Sequence, residues 1–429
     1  MKVKCRSRLL LIVLLLLCFS TAAVWSEGVK VLNVWTYWGA GAELDAVNAI
    51  VNGWKAKNPG VAVEVRGLPS SDELRRQVSA SLLGGNPPEV FTSGAGYSVK
   101  SWADAGATAP ITSVWKEIGG NKIFPRGVAS VTYFDNEAWA IPLNIHVLNY
   151  VWYNVKVFEK YKISPPKTWL EFEKICKLLK QNGIAPTVGA LKGPWAVYTL
   201  YPFLIKNLGA SGYRKLGAGE VSFLSDSIKK SFKDYKRYWI DNLIAGWSGY
   251  NWIEGALPFI EGKAAMYFCM GDWAAPLARS QGMEPIKDID FFPAPGTDKY
   301  IICQIDTLTM AKACREPELA KSFLKYCAST EAQAAFAKFK GSHGANLQTP
   351  TNVYSPITLK IHDKFMQPST VFLPNQSFLI SPDFFLQYRR LIEQYAVIPT
   401  DEMLDSVLKE LEKLRQTEAD KKGWVQWKW

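Results

Sequence analysis

The sequence predicts an α/β protein with at least two domains, and three observations carry that expectation. Between residues 29 and 97, β-branched and aromatic runs alternate with helix-period runs in the order strand, helix, strand, helix, strand. That order is the pattern of a parallel sheet with helices on its faces. The chain has 429 residues, more than a single hydrophobic core usually serves. After the N-terminal segment, no stretch reaches the ~20 apolar residues of a membrane-spanning helix, so the 48% hydrophobic content is expected to fill globular cores.

The first residues set the compartment. Lys2, Lys4, Arg6 and Arg8 precede an apolar run from Leu9 to Phe19 and then small residues, the layout of a secretory signal peptide over residues 1–26. Cleavage after Ala23 or Ser26 is expected. Cys18 raises the question of a lipid anchor, but leucines fill the positions before it, so simple cleavage ranks first. The exported protein is expected in the periplasm or outside the cell. Loss of the signal removes four basic and no acidic residues and lowers the formal charge from +11 to +7. Acidic and basic residues are interspersed along the rest, which, with export, argues against a nucleic-acid partner. Cys176, Cys269, Cys303, Cys314 and Cys327 remain, an odd and scattered set that matches neither a disulfide framework nor a metal site. They read as small buried apolar residues, although the compartment allows one bridge.

Val29 to Tyr37 alternates and forms the first strand, which ends at Trp38-Gly-Ala-Gly41, a turn open to a ligand. Leu44, Val47, Ile50, Val51 and Trp54 give Glu43 to Asn58 the spacing of an amphipathic helix, and Pro59-Gly60 ends it. Val61 to Arg66 is the second strand, Asp72 to Leu83 the second helix and Glu89 to Thr92 the third strand. Ala138 to Tyr153 alternates like a strand leaving one domain for another, with Pro142 at the crossing. Trp169 to Asn182 and Phe232 to Leu243 read as helices, separated from the next elements by the aromatic loop Gly246 to Trp252. Asp290 to Pro295 and Tyr300 to Met310 form the return, Glu318 to Ala328 and Glu331 to Lys338 are helical, and a third crossing follows His343. Phe384 to Ala396 and Asp401 to Lys421 supply the closing helices.

Gly262-Lys-Ala-Ala-Met-Tyr-Phe-Cys-Met-Gly-Asp-Trp273 stands out as a buried strand followed by a large aromatic at the edge where α/β sheets present ligands. Taken alone, it leaves two readings even. Trp273 is either a ligand plate or a lid on the core, with Asp272 capping the helix that follows.

Trp35-Thr-Tyr-Trp-Gly39, Asn58-Pro-Gly-Val61 and Leu83-Gly-Gly-Asn-Pro-Pro-Glu-Val90 are followed by Trp139-Ala-Ile-Pro-Leu-Asn-Ile-His146, Pro165-Pro-Lys-Thr-Trp169, Phe259 to Trp273 and Lys340-Gly-Ser342. In that order and spacing the chain resembles the extracellular solute-binding proteins of ATP-driven sugar importers, the maltose-binding-protein group. Within it, Pro142-Leu-Asn-Ile-His146 and Met-Gly-Asp-Trp273 look closest to the glucose- and galactose-type binders of thermophilic bacteria. The resemblance implies a type II two-lobed periplasmic-binding-protein fold, with 27–141 plus 300–345 as one lobe and 142–299 plus 346–429 as the other. It implies a monomer without cofactor or catalysis that closes on a sugar and delivers it to the permease subunits of an ABC transporter.

A pyranose presents a C–H face and a rim of hydroxyls, so its site needs aromatic plates and rigid polar groups. Seventeen tryptophans and 13% aromatic residues supply more rings than a core needs. Trp38, Trp252 and Trp273 are the expected plates; Trp35, Tyr37 and Trp247 rank below them. Asp306 is a charge in an otherwise apolar strand, expensive unless it is paired or ligand-bound. The resemblance adds an aspartate contact there, a cationic contact at Arg126, a role for His146, and Asn375 where relatives place a histidine. It also marks a departure, because Ser93-Gly-Ala-Gly96 replaces a segment in which those relatives carry a ligand-contacting histidine, leaving specificity open between a monosaccharide such as glucose and a disaccharide. Two rivals stay open. An exported glycoside hydrolase or lyase would need a pair of carboxylates about 5 to 9 Å apart, for which Asp272 or Glu254 with Asp306 are candidates. A binder of a polyol or other non-sugar solute is the second.

Overall fold

The computed structural model describes residues 30–268 and 274–428. Among them, no helix is long and apolar enough to cross a membrane.

The first sheet starts as its residues dictate. In β1 (Val31–Thr36) Leu32, Val34 and Thr36 are buried while the alternate positions are half-buried, the period-two pattern of a strand with two unequal faces. Helix Gly41–Lys57 follows and buries Ala46, Val47, Ile50, Val51 and Trp54 on one stripe. β2 (Ala62–Gly67) pairs parallel with β1 in full register. Helix Ser71–Leu83 begins where the Ser70 hydroxyl accepts the Glu73 N–H. β3 (Val90–Gly94) then pairs parallel on the other side of β1. After it come the short β4 (Thr108–Ala109), the turn of helix Arg126–Ala129, and the small ladder of β5 (Tyr133–Phe134) with β6 (Glu137–Ala138).

β7 (Ile141–Val147) is buried throughout and belongs to the same large sheet. The crossing therefore lies later than the expected Pro142. That proline sits inside β7 opposite Thr307, and its carbonyl accepts Gln333 Nε2. The sheet changes at Leu148-Asn149, and β8 (Tyr150–Asn154) opens the second sheet. Helix Trp169–Gln181, begun by a capping box of Thr168 and Glu171, β9 (Ala185–Val188), the long helix Trp195–Gly217 and helix Asp226–Tyr238 follow. Helix Trp252–Ile260 leads to β10 (Ala264–Phe268), the buried strand between β8 and β9. β11 (Ile289–Pro293) pairs antiparallel with β8 along its length. It is the last strand of the second sheet, and the return follows it across residues 294–299.

β12 (Tyr300–Ala311) is the central strand of the large sheet, flanked by β7 and β3. Helices Pro317–Cys327 and Thr330–Lys340 lead to β13 (His343–Gly344), which pairs with β7. Helix Pro356–Phe365 precedes β14 (Val371–Pro374), which runs parallel to the start of β12. Helices Pro382–Val397 and Asp401–Asp420 close the chain against the long helix and helix Asp226–Tyr238. The result is an eight-stranded and a four-stranded sheet, one in each lobe.

One buried side chain knits the outgoing and returning passes. Asn149 Nδ2 donates to Thr297 Oγ1 (3.1 Å) and to the Tyr300 carbonyl (2.9 Å), and its Oδ1 accepts the Ile302 N–H at 2.9 Å. With all three side-chain bonds made away from water, the amide costs nothing in unsatisfied polarity and fixes both passes in one geometry. The third pass joins at Asn375, whose N–H donates to the Cys303 carbonyl at 3.0 Å.

Candidate functional site

β7 and β12 run antiparallel with Asn144 opposite Asp306 and His146 opposite Gln304. Alternation along each strand places all four side chains on one face, at the level where β3 ends at Gly94, the residue paired with Asp306. Asn144, His146 and Asp306 are at most 6% exposed. Polar groups so placed survive only in a connected network.

The network is complete around the carboxylate. Tyr37, one residue past β1, donates its hydroxyl to Asp306 Oδ1 at 2.8 Å. The Asp306 N–H donates to Asn144 Oδ1 at 3.2 Å, which orients the amide so that its Nδ2 faces His146 Nε2 (3.0 Å) and Ser342 Oγ (3.2 Å). His146 Nε2 also lies 3.5 Å from Asp306 Oδ2. The role of Nε2 follows its tautomer: without a proton it accepts from the amide, and with one it donates to the carboxylate. Burial pushes the Asp306 carboxyl up. The hydrogen bond and charge of His146, the charge of Lys340 and the Tyr37 hydroxyl outweigh it and hold the group at about 2. Burial, then the Asp306 charge, raises the Tyr37 phenol well above its ordinary value, so it remains a donor at neutral pH. The site therefore holds a fixed anion with its donors already aimed.

Beside this network, Trp38 is 3% exposed, packed at 5.1 Å against Phe336 with the Lys340 ammonium 5.5 Å from its ring centroid. Lys340, itself buried, pairs with Glu43 at the start of helix Gly41–Lys57. Trp35 and Tyr37 share the half-buried face of β1, Trp35 lying under the Arg66 guanidinium at 4.6 Å. Of the three aromatics in this turn, Trp38 is the one packed into the interior.

Asn375 is fully buried. Its Oδ1 caps helix Gln376–Leu379 by accepting the Ser377 N–H at 2.9 Å, and its Nδ2 donates to Gln304 Oε1 at 2.7 Å. Gln304 is half-buried, and the Tyr198 hydroxyl of the second lobe comes within 3.5 Å of the same oxygen. Tyr198 stands 5.7 Å from Trp195, and Trp195 stands 6.3 Å from Trp252. Both tryptophans are half-buried at the starts of their helices, and the Trp252 carbonyl accepts the Tyr267 hydroxyl at 2.8 Å. A row of three aromatic side chains thus leads from the second lobe to the polar face of the first.

Of the residues singled out in the sequence, Asp306 and His146 meet in one network, Asn375 joins it through Gln304, and Trp38 packs beside it. Trp252 belongs to the aromatic row. Arg126 stands elsewhere, exposed on the turn Arg126–Ala129. Trp273, with Asp272 and Cys269, lies outside the described residues. Trp247 packs edge-on at 5.2 Å against buried Trp239. Cys176, Cys303, Cys314 and Cys327 are free thiols. Tyr37 was expected only as a lower-ranked plate and serves instead as a donor to Asp306; Asn144, Gln304, Lys340, Tyr198 and Trp195 were not among the expected site residues. For Gln304 and Asn144 a signal exists, since each lies two residues from a chosen residue on a strand; for Trp195 and Tyr198 none does.

The model of the family described as bacterial extracellular solute-binding protein matches residues 40–334. This chain belongs to that family. An uncharacterized ABC transporter extracellular-binding protein of Pyrococcus horikoshii is 26% identical over 355 residues, covering 82% of this chain and 79% of that one. A probable sugar-binding periplasmic protein of Brucella melitensis is 26% identical over 333 residues, 76% of this chain and 77% of its own. Among solved structures, the bacterial solute receptor AcbH, described with an exclusive preference for β-D-galactopyranose, superposes with a TM-score of 0.79 at 25% identity, covering 91% of this chain and 99% of its own. The fold is the type II two-lobed periplasmic binding architecture.

Membership in a solute-binding family removes the hydrolase reading. The local geometry gives its carboxylates other tasks. Glu254 completes the capping box of helix Trp252–Ile260 by accepting the Asn251 N–H at 2.8 Å, and Asp306 is engaged by Tyr37 and His146.

Proposed function

We propose that this solute-binding protein is exported by its N-terminal signal, captures a neutral sugar between its lobes and presents it, as a monomer, to the permease subunits of an ABC importer. The observation that carries the sugar reading is the ionised Asp306 held between Tyr37 and His146. A carboxylate fixed in this way accepts from two adjacent hydroxyls, which an apolar solute cannot supply. The row Trp252, Trp195 and Tyr198 offers rings to the C–H face, and the sequence makes Trp273 a further candidate plate. His146, Gln304 and Asn375 extend the rim, and Trp38 backs it from the interior with Lys340 above its ring. Contacts to both lobes favour the closed arrangement, which the permease reads.

A hexose is the proposed ligand. Glucose follows from the sequence motifs and galactose from the likeness to the receptor of known preference, while the altered 93–96 segment keeps the hydroxyl pattern distinct. Titration calorimetry of the full chain with neutral hexoses, pentoses, disaccharides and polyols, with recovery of the ligand afterwards, tests the reading. Saturable binding of at least one hexose, recovered unchanged, is expected. A polyol that binds while every sugar fails would replace the sugar reading, and silence across the panel would end it.

A further inference from the structure

Helix Pro356–Phe365 packs on the large sheet, yet one of its side chains crosses to the small one. Ile357, Ile361 and Phe365 are its buried face, His362 Nδ1 lies 2.8 Å from His343 Nε2 on β13, and the Thr358 hydroxyl donates to the Gly341 carbonyl at 3.3 Å. From this fixed base Lys360 reaches β11, the edge strand of the small sheet. Its Nζ donates to the two Asp290 carboxylate oxygens at 2.7 and 2.6 Å and to the Phe291 carbonyl at 3.3 Å. The ammonium also stands 4.7 Å from the Phe291 ring centroid, and that ring stacks at 4.5 Å on Tyr150, the residue after Asn149.

The Asp290 side chain is only 12% exposed, against 44% for Lys360. Its other donors are the Tyr153 hydroxyl at 3.3 Å and the Phe291 N–H at 2.8 Å, both neutral. A carboxylate so enclosed depends on its cation, and without it is better served by water. The pair stands on a flank where the lobes already touch. Gly341, which accepts from Thr358, is also the seat of Pro276, from helix Ala274–Ser280 of the small-sheet lobe: a Cβ on Gly341 would lie 2.5 Å from Pro276 Cγ. The next residue, Ser342, belongs to the polar network around Asp306.

We propose that Lys360 is a positioning residue for sugar capture, whose pair with Asp290 forms as the lobes close and breaks as they part. The proposal rests on the reading of lobes that close on a neutral sugar; the pair then adds to affinity without touching the ligand. A rotation that lifts Pro276 from Gly341 draws β11 away from helix Pro356–Phe365, and hydrogen bonds this short are lost within about an ångström of travel. The pair therefore biases the lobes towards closure, and that bias appears in the apparent affinity. Because a neutral sugar brings no charge, the pair also makes its binding sensitive to salt.

The test compares the full chain with Lys360→Met, Asp290→Asn and the double variant, by galactose titration at low and high sodium chloride and by small-angle X-ray scattering without sugar. Each single variant is expected to bind galactose about fivefold more weakly, the lower end of couplings between sites. The double variant should be no weaker than either, and high salt should lower the affinity of the wild type more than that of Lys360→Met. Without sugar, Lys360→Met should show the larger radius of gyration. Lys360→Met, at the more exposed partner, decides alone should Asp290→Asn fail to fold. The proposal is overturned if affinity, salt dependence and radius all match the wild type, or if the losses add in the double variant. Absence of galactose binding by the wild type counts against the hexose reading instead, and the sugar-free scattering then decides the pair by itself.

Discussion

The two lobes bring opposite chemistries to their junction. The lobe of the large sheet offers polar groups mounted on β7 and β12, strands that are hydrogen-bonded on both sides and buried on their faces. The lobe of the small sheet offers rings at helix starts, with Trp195 and Trp252 half-buried and each following a turn. A hydroxyl is read by direction, so its partner must be held to a fraction of an ångström. A C–H face is read by area, and a ring that adjusts by a few degrees loses little. The stiff support and the looser one suit the two parts of the proposed sugar site.

The comparison breaks most sharply at Asp306. Asp306→Ala should weaken sugar binding by a hundredfold or more, the scale expected when a site's buried donors are left unpaired. It should also cost about 2 kcal/mol of stability, because Tyr37 and His146 lose their common partner. Calorimetry and urea unfolding separate the two effects, and near-normal binding by a folded variant would remove Asp306 from the site.

Acid offers a second approach. The Asp306 carboxyl is depressed to about 2 in the folded protein, below its ordinary value near 3.9 in an unfolded chain. A depressed carboxyl stabilises fully above the unfolded value and loses that contribution as pH falls towards the folded one. Stability should therefore decline by about 2 kcal/mol between roughly pH 4 and pH 2, and Asp306→Asn should flatten that part of the profile. Identical acid limbs in both proteins would show that the carboxylate is not held as described.

On the aromatic side the effect should be smaller and confined to binding. Trp252→Ala is expected to lower affinity about tenfold, the worth of one stacked ring, with little change in melting temperature because the residue is only half-buried. A larger loss than that of Asp306→Ala would invert the ranking of the lobes. Gln304→Leu probes the join. It removes the acceptor of the Asn375 amide at 2.7 Å and the oxygen near Tyr198, and should cost about 1 kcal/mol in stability and a few-fold in affinity, measured in the same assays.

The strand-mounted half of the site was the more legible. A charge inside Cys-Gln-Ile-Asp306-Thr-Leu declares itself because burial without a partner is so costly, and strand periodicity extends the inference to Gln304. The α/β class, most helix bounds and the buried strand at Ala264–Phe268 followed from periodicity in the same way. The crossing did not. Proline suggested a break at Pro142, yet its carbonyl still accepts Gln333 and the strand continues, because the missing N–H is tolerated there. Helix Trp195–Gly217 was hidden for a related reason: its N-terminal half is apolar all round and carries Pro202, and its C-terminal half follows a break at Gly209, so no single stripe of period 3.6 appears. Trp195 could not be found without it. Tyr37 was visible as a residue but not as a partner, since its meeting with Asp306 spans most of the chain.

The position of β12 also bears on how the chain assembles. β12 begins at Tyr300, yet it lies between β7 and β3, both made far earlier. The large sheet therefore has no centre until the whole small sheet, β8 to β11, has been threaded past it. The strands of the small sheet are consecutive in sequence and need none from outside, whereas β3 and β7 wait with unpaired edges. Folding should run from the middle of the sequence outwards, with Asn149 locking only when residues 297–302 arrive. A late-closing central strand keeps the chain open through most of its synthesis, and makes the large sheet the part most exposed to aggregation on the way.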